Sequence, residues 1–248
     1  MILPQVVLLA CKMIVDQKLD SGPFGNISVR ISGTDQFWVN PAGITFDQLE
    51  LKDIVRIDIQ GNVLEGKHEA HPGAFIHREI YRLRREVHAI VHTHSENTVA
   101  MSLLGCEIEP FTQLGAAIYG DQGIYEGFTG PVRTSDEGAE IAKALGNKSI
   151  VIAKNHGLFS VGSTMQSALW DLIISDAASK IHLTAKQLGL QKANKLSEEF
   201  MQKSRVEVRE KQNEFMWLSF LKNMANKHSE LFIEHKITAF QSYKEIPL

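Results

Sequence analysis

The apolar stretch Val87–Thr93 constrains this chain more than any other, because it has the length of a buried strand and runs into a His-x-His pair, His92 and His94. Side chains alternate across a strand with a period of two, so residues 92 and 94 share a face and both imidazoles can reach one point. A second apolar strand is predicted over Lys148–Ala153, and it delivers His156, in Asn155-His156-Gly157, immediately after its end. Three histidines are a known catalytic zinc set that leaves an open position. His92, His94 and His156 are therefore the candidate metal ligands.

The surrounding pattern supplies the layers. Apolar residues at helical spacing predict a helix over Val6–Asp16, which stops before the turn formers Ser21-Gly22-Pro23-Phe24-Gly25-Asn26. Ile27–Ile31, Gln36–Asn40 and Ile54–Ile59 read as a strand meander with glycine-containing turns. Gly73–Arg85 is predicted helical, with Phe75, Ile76, Ile80, Tyr81 and Leu83 on the apolar side. A helix from about Ser95 to Gly105, a long one over Thr164–Leu188, and one or two more within Ser197–Lys227 complete the reading. The order of elements predicts a three-layer α/β/α domain with a central mixed, largely antiparallel sheet. No linker or repeat divides the chain, so residues 1–196 form the expected domain and 197–248 a helical C-terminal extension of it.

Composition narrows the partners. Among 248 residues, 26 basic and 29 acidic side chains give a net charge of −3, which offers no electrostatic reason to expect nucleic acid or a membrane surface. A small-molecule substrate fits better. Two cysteines make no disulfide framework, and the apolar N-terminus lacks the basic start of a signal peptide, so a cytoplasmic protein is expected.

Four motifs in order, Gly25-Asn26-Ile27-Ser28-Val29-Arg30, Asn40-Pro41-Ala42-Gly43-Ile44, Val91-His92-Thr93-His94-Ser95 and Asn155-His156-Gly157, give a chain that resembles the class II aldolase/adducin family. That family holds metal-dependent sugar-phosphate aldolases, an epimerase, decarboxylases and the adducin head domain. The resemblance implies that His92, His94 and His156 are the metal ligands, that Asn26, Ala42 and Gly43 lie in substrate-binding loops, and that the protein is a homo-oligomer, commonly a tetramer. It implies a divalent ion, zinc first, with manganese, iron or cobalt as alternatives.

One departure alters the chemistry. Where the aldolases carry Ser-Ser-Glu-Trp, this chain has His71-Pro72-Gly73-Ala74, so Gly73 stands at the place of the glutamate acid/base. Replacement proton carriers are sought in His71 and Glu96, with Glu69 and Tyr119 behind them. The expected function is a metal-dependent lyase, a decarboxylase or an aldolase, acting on a small carbonyl or carboxylate compound through a metal-stabilised enolate. A non-catalytic adducin-like interaction module and an iron-dependent oxygenase on the same scaffold are the alternatives.

Overall fold

In a computed structural model, which describes residues 2–127, 130, 135–190 and 196–234, the chain begins with α1 (Leu3–Asp16). The helix starts before Val6, the first residue of the predicted span, because Pro4 sits in its first turn, where a missing N–H leaves no hydrogen bond unmade. Four strands follow, β1 (Asn26–Arg30), β2 (Gln36–Val39), β3 (Val55–Asp58) and β4 (Val63–Glu65). Next come α2 (Ala74–Leu83), β5 (Ala89–Thr93), α3 (Glu96–Ser102), α4 (Gln113–Ile118), β6 (Gln122–Tyr125) and α5 (Ser135–Leu145). The hairpin of β7 (Ile150–Ala153) and β8 (Gly157–Gly162) leads into α6 (Met165–Gln187).

These strands join one sheet in the order β4-β3-β2-β1-β5-β8-β7-β6. Only the β6–β7 pair is parallel among the described strands, which agrees with the mixed, largely antiparallel sheet expected. The apolar runs are continuous because both faces are covered. In β5, Ala89 and Val91 enter a core shared with α1 and α6, whereas Ile90 enters a core shared with α2 and α5. The same alternation divides β7, with Ile150 and Ile152 on the α6 side and Val151 and Ala153 on the other. The architecture is therefore α/β/α.

After α6 the chain forms α7 (Glu198–Ser204), a π-helical stretch Arg205–Glu210, α8 (Gln212–Lys227) and α9 (Ser229–Glu234). This extension belongs to the core. Trp217, Leu221, Met224 and Phe232 are buried with α1 and α6, and the Trp170 indole N–H donates to the Val208 carbonyl at 2.9 Å. Arg209, inside the π-helical stretch, forms ion pairs with Asp171 at 2.7 Å and Asp121 at 2.6 Å. The remainder of the predicted extension, residues 235–248 with His235, lies outside the described residues. No described helix is long and apolar enough to cross a membrane.

Candidate metal centre

Pairing β5 between β1 and β8 fixes the first histidine. His92 faces Asn26 on β1 and Phe159 on β8, and its ring stacks on Phe159 with centroids 3.8 Å apart and planes 7° from parallel. Its Nδ1–H donates to the Leu158 carbonyl at 2.8 Å, so the lone pair is on Nε2. His94 follows the strand end, its main-chain N–H donating to the Ser21 hydroxyl at 3.1 Å and its ring lying parallel to Phe24. His156 stands in the three-residue connection of the β7–β8 hairpin, where Ala153 pairs with Gly157. The connection is tight. Asn155 takes a left-handed φ of 64° and Gly157 one of 141°, a conformation that a side chain at 157 would strain.

The three rings converge, with centroid separations of 4.7 Å (His92–His94), 4.8 Å (His92–His156) and 4.6 Å (His94–His156). One ligand atom from each lies within 4.8 Å of the others, which is the spread of donors around one ion. Nε2 of His92 and Nε2 of His94 are buried with no hydrogen-bond partner among the described residues, an arrangement that a metal ion would satisfy. Burial, followed by the neighbouring His156 and His94, holds His92 well below the ordinary imidazole range. Burial and His71 lower His94, while burial and His94 push His156 down to about 3. Neutral imidazoles are the form that ligates. The donor set fits a divalent ion.

The cluster opens on a cavity of about 900 Å3. Asn26, His71, Gly73 and Glu96 line it, as do Phe24, Ile76, Val99, Ala100, Leu103 and Phe159. Asn26 is buried, and its side-chain oxygen has no partner among the described residues. Glu96 is exposed in the first turn of α3, which Ser95 caps. His71 is held by the main chain on both sides: Nε2–H donates to the Pro23 carbonyl at 3.0 Å, and Nδ1 accepts from the Gly73 N–H at 3.0 Å. Burial lowers its pKa.

A family model, the Class II Aldolase and Adducin N-terminal domain, matches residues 5–183. The chain belongs to that family. Among its curated relatives, a decarboxylase, NovR, of Streptomyces niveus is 33% identical over 157 residues, 62% of this chain and 58% of that protein. A 4-hydroxy-3-prenylphenylpyruvate oxygenase/4-hydroxy-3-prenylbenzoate synthase of Streptomyces roseochromogenus is 32% identical over 157 residues, 62% of this chain and 57% of that protein. The matched segment thus spans little more than half of either relative. In structure, an L-fuculose 1-phosphate aldolase from Glaciozyma antarctica superposes with a TM-score of 0.80 at 27% identity, covering 93% of this chain and 91% of that one. The class II aldolase fold expected from the sequence is the observed one.

Within this family fold, the expected site residues divide. Asn26, His71 and Glu96 reach the cavity with the three histidines, but Ala42 and Gly43 are not among its lining residues. The Ala42 N–H instead donates to the Glu69 carbonyl at 3.0 Å. Glu69 lines a separate cavity of about 230 Å3, and Tyr119, which gives its carbonyl to Arg205, lines neither. His77 is a core residue bonded to Ser28. The apolar wall was not anticipated. The spacing of Val99 and Leu103 on a predicted helix was its only available signal.

Proposed function

We propose that the chain is a metal-dependent carbon–carbon lyase acting on a small carbonyl or carboxylate compound, with zinc as the ion and decarboxylation preferred over aldol cleavage. The convergence of three neutral imidazoles on one cavity carries this reading. A divalent ion held by His92, His94 and His156 would supply a Lewis acid for negative charge developing on a substrate oxygen. Asn26, which lines the same cavity, would orient that end of the substrate by donating its carboxamide N–H groups to a substrate oxygen.

The proton inventory favours decarboxylation. Loss of carbon dioxide requires no base to take a hydroxyl proton, whereas retro-aldol cleavage does. Gly73 offers no such group, and His71 has both nitrogens occupied by main-chain partners. Glu96 is the one carboxylate among the described residues of the cavity lining and is assigned the return of a proton to the product carbon. The homotetramer implied by the family is part of this proposal, with sedimentation as its check.

A second reading, oxygenation at the same centre with iron, is favoured by the Streptomyces roseochromogenus relative, which is named an oxygenase. The deciding experiment is metal analysis of protein purified without added ions, beside His94→Ala, followed by assays over a panel of 2-oxo acids. Carbon dioxide release with no oxygen uptake supports the lyase. Oxygen consumption moves the assignment to the second reading, and failure to retain any metal after reconstitution overturns both.

A further inference from the structure

Among the described residues, the cavity lining has polar groups to bind one end of a molecule, the three histidines with Asn26 and Asn155, and no cation to hold a second charged end. Among the described residues no lysine or arginine lines it, and the one carboxylate among them, Glu96, repels an anion. The main-chain donors that would cradle a phosphate at the start of α2 are already committed. The Gly73 N–H donates to His71 Nδ1, Ala74 N–H to the His71 carbonyl, Phe75 N–H to the Pro72 carbonyl, and Ile76 N–H to the Gly73 carbonyl. Helix N-termini bind anions through free N–H groups, and here none of these four is free. At the Ala42 turn the Ala42 N–H is committed in the same way, to the Glu69 carbonyl.

The same cavity carries a hydrocarbon lining. Val99, Ala100 and Leu103 come from α3 and its C-terminal cap, Ile76 from α2, Phe159 from β8 and Phe24 from the turn before β1. Two of them leave most of their surface uncovered: Leu103 is 58% and Phe24 59% exposed. The wall is fixed in place, because Asp176 on α6 accepts from Ser95 Oγ at 2.7 Å and from Asn97 Nδ2 at 2.9 Å, anchoring the first turn of α3. At about 900 Å3 the cavity is large for a two- or three-carbon acid and has the size of sites that enclose ring-bearing ligands.

From this we infer that the substrate is a non-phosphorylated carbonyl compound bearing a bulky apolar group, which packs against Val99, Ala100 and Leu103 while its oxygens face the three histidines and Asn26. This names the substrate class of the lyase proposed above and rests on that reading for the polar end alone. The apolar end is bound by burial, at roughly 25 cal/mol per Å2 removed from water, and requires no ion.

Calorimetric titration of the full chain, zinc-loaded and metal-free, with oxamate, N-phenyloxamate and dihydroxyacetone phosphate tests this. The first two present the same oxo-carboxylate and differ only in the phenyl ring. N-phenyloxamate is expected to bind at least about tenfold more tightly than oxamate, and dihydroxyacetone phosphate more weakly than N-phenyloxamate. Ala100→Phe, which fills the wall, is expected to bring the ratio of the two oxamates within about threefold, and Leu103→Ala, at an exposed position that the fold does not depend on, to lower it in the same direction. A ratio near one in zinc-loaded protein overturns the substrate class and leaves the metal-dependent lyase standing. A tenfold ratio in protein that takes up no zinc supports the apolar wall and overturns the metal-dependent reading. Tighter binding of dihydroxyacetone phosphate than of N-phenyloxamate overturns the inference outright.

Discussion

The carboxamide of Asn26 occupies the space that any side chain at position 73 would need: a Cβ added to Gly73 would lie 2.3 Å from Asn26 Nδ2 and 3.1 Å from His71 Nδ1. The backbone at Gly73 is right-handed helical, with φ −60° and ψ −11°, so space and not conformation selects glycine there. Gly73→Ala is expected to lower stability by about 1 kcal/mol through overpacking against the buried Asn26 side chain. In an Asn26→Ala background most of that loss should disappear, giving a clear coupling in a urea-unfolding double-mutant cycle. Additive effects would show that the two side chains do not compete for the same space.

His71 joins the Pro23 carbonyl to the start of α2, and Phe24, next in sequence to Pro23, stands at the cavity mouth. His71→Ala is therefore expected to raise KM by about tenfold, the value of roughly 1.4 kcal/mol of lost positioning, with a smaller fall in kcat. Zinc stoichiometry should be unchanged. Loss of one limb of the pH–rate profile in the variant would instead make His71 a proton carrier.

Acid should destabilise the metal-free protein in a window set by buried histidine. His77 is fully buried, and burial followed by neighbouring His71 pushes it down from 6.5 to about 3. Above pH 6.5 it is neutral in both states and contributes no pH dependence. Below that, the unfolded chain takes up a proton that the folded chain refuses, so stability falls as the pH drops from 6.5 towards 3, by up to about 1.4 kcal/mol per pH unit for this one residue. Urea unfolding at pH 7 and pH 5 should show a shallower pH slope in His77→Asn than in the parent chain.

Arg209 is 11% exposed and pairs with Asp171, itself 4% exposed, as well as with Asp121. Removing it leaves buried carboxylate without a partner, so Arg209→Ala should cost about 3 kcal/mol or more. Trp217→Ala, at a position 1% exposed in the same core, should cost a similar amount, about 3–5 kcal/mol. Unfolding midpoints near that of the parent chain would mean that the extension only rests on the domain.

The parts of this molecule that were legible in the sequence are those governed by local geometry. His92 and His94 share a side because strand alternation is a property of neighbouring residues, and His156 was placed directly after a predicted strand. Strand β8 was not read, although five of its six residues are buried, because it begins and ends in glycine and follows β7 after three residues. It is defined by its partners. Missing it hid Phe159, the ring against which His92 stacks. Helices α4 and α5 and strands β4 and β6 were likewise absent from the prediction; β4 is an exposed edge with no apolar alternation. The pairing of the Ala42 N–H with the Glu69 carbonyl was hidden for a related reason, since it depends on a residue far along the chain.

The hairpin that carries His156 has a consequence for how the protein meets its ion. β8 pairs with β5 along its length and with β7 on its other side, so the supports of His92 and His156 are already joined by the hydrogen bonds of one sheet. An ion held there would close no loop that the sheet leaves open. It would act as a guest and not as a staple, and a chelator should strip it from a chain that remains folded, with Tm falling only by the mass-action term RT ln(1 + [L]/Kd).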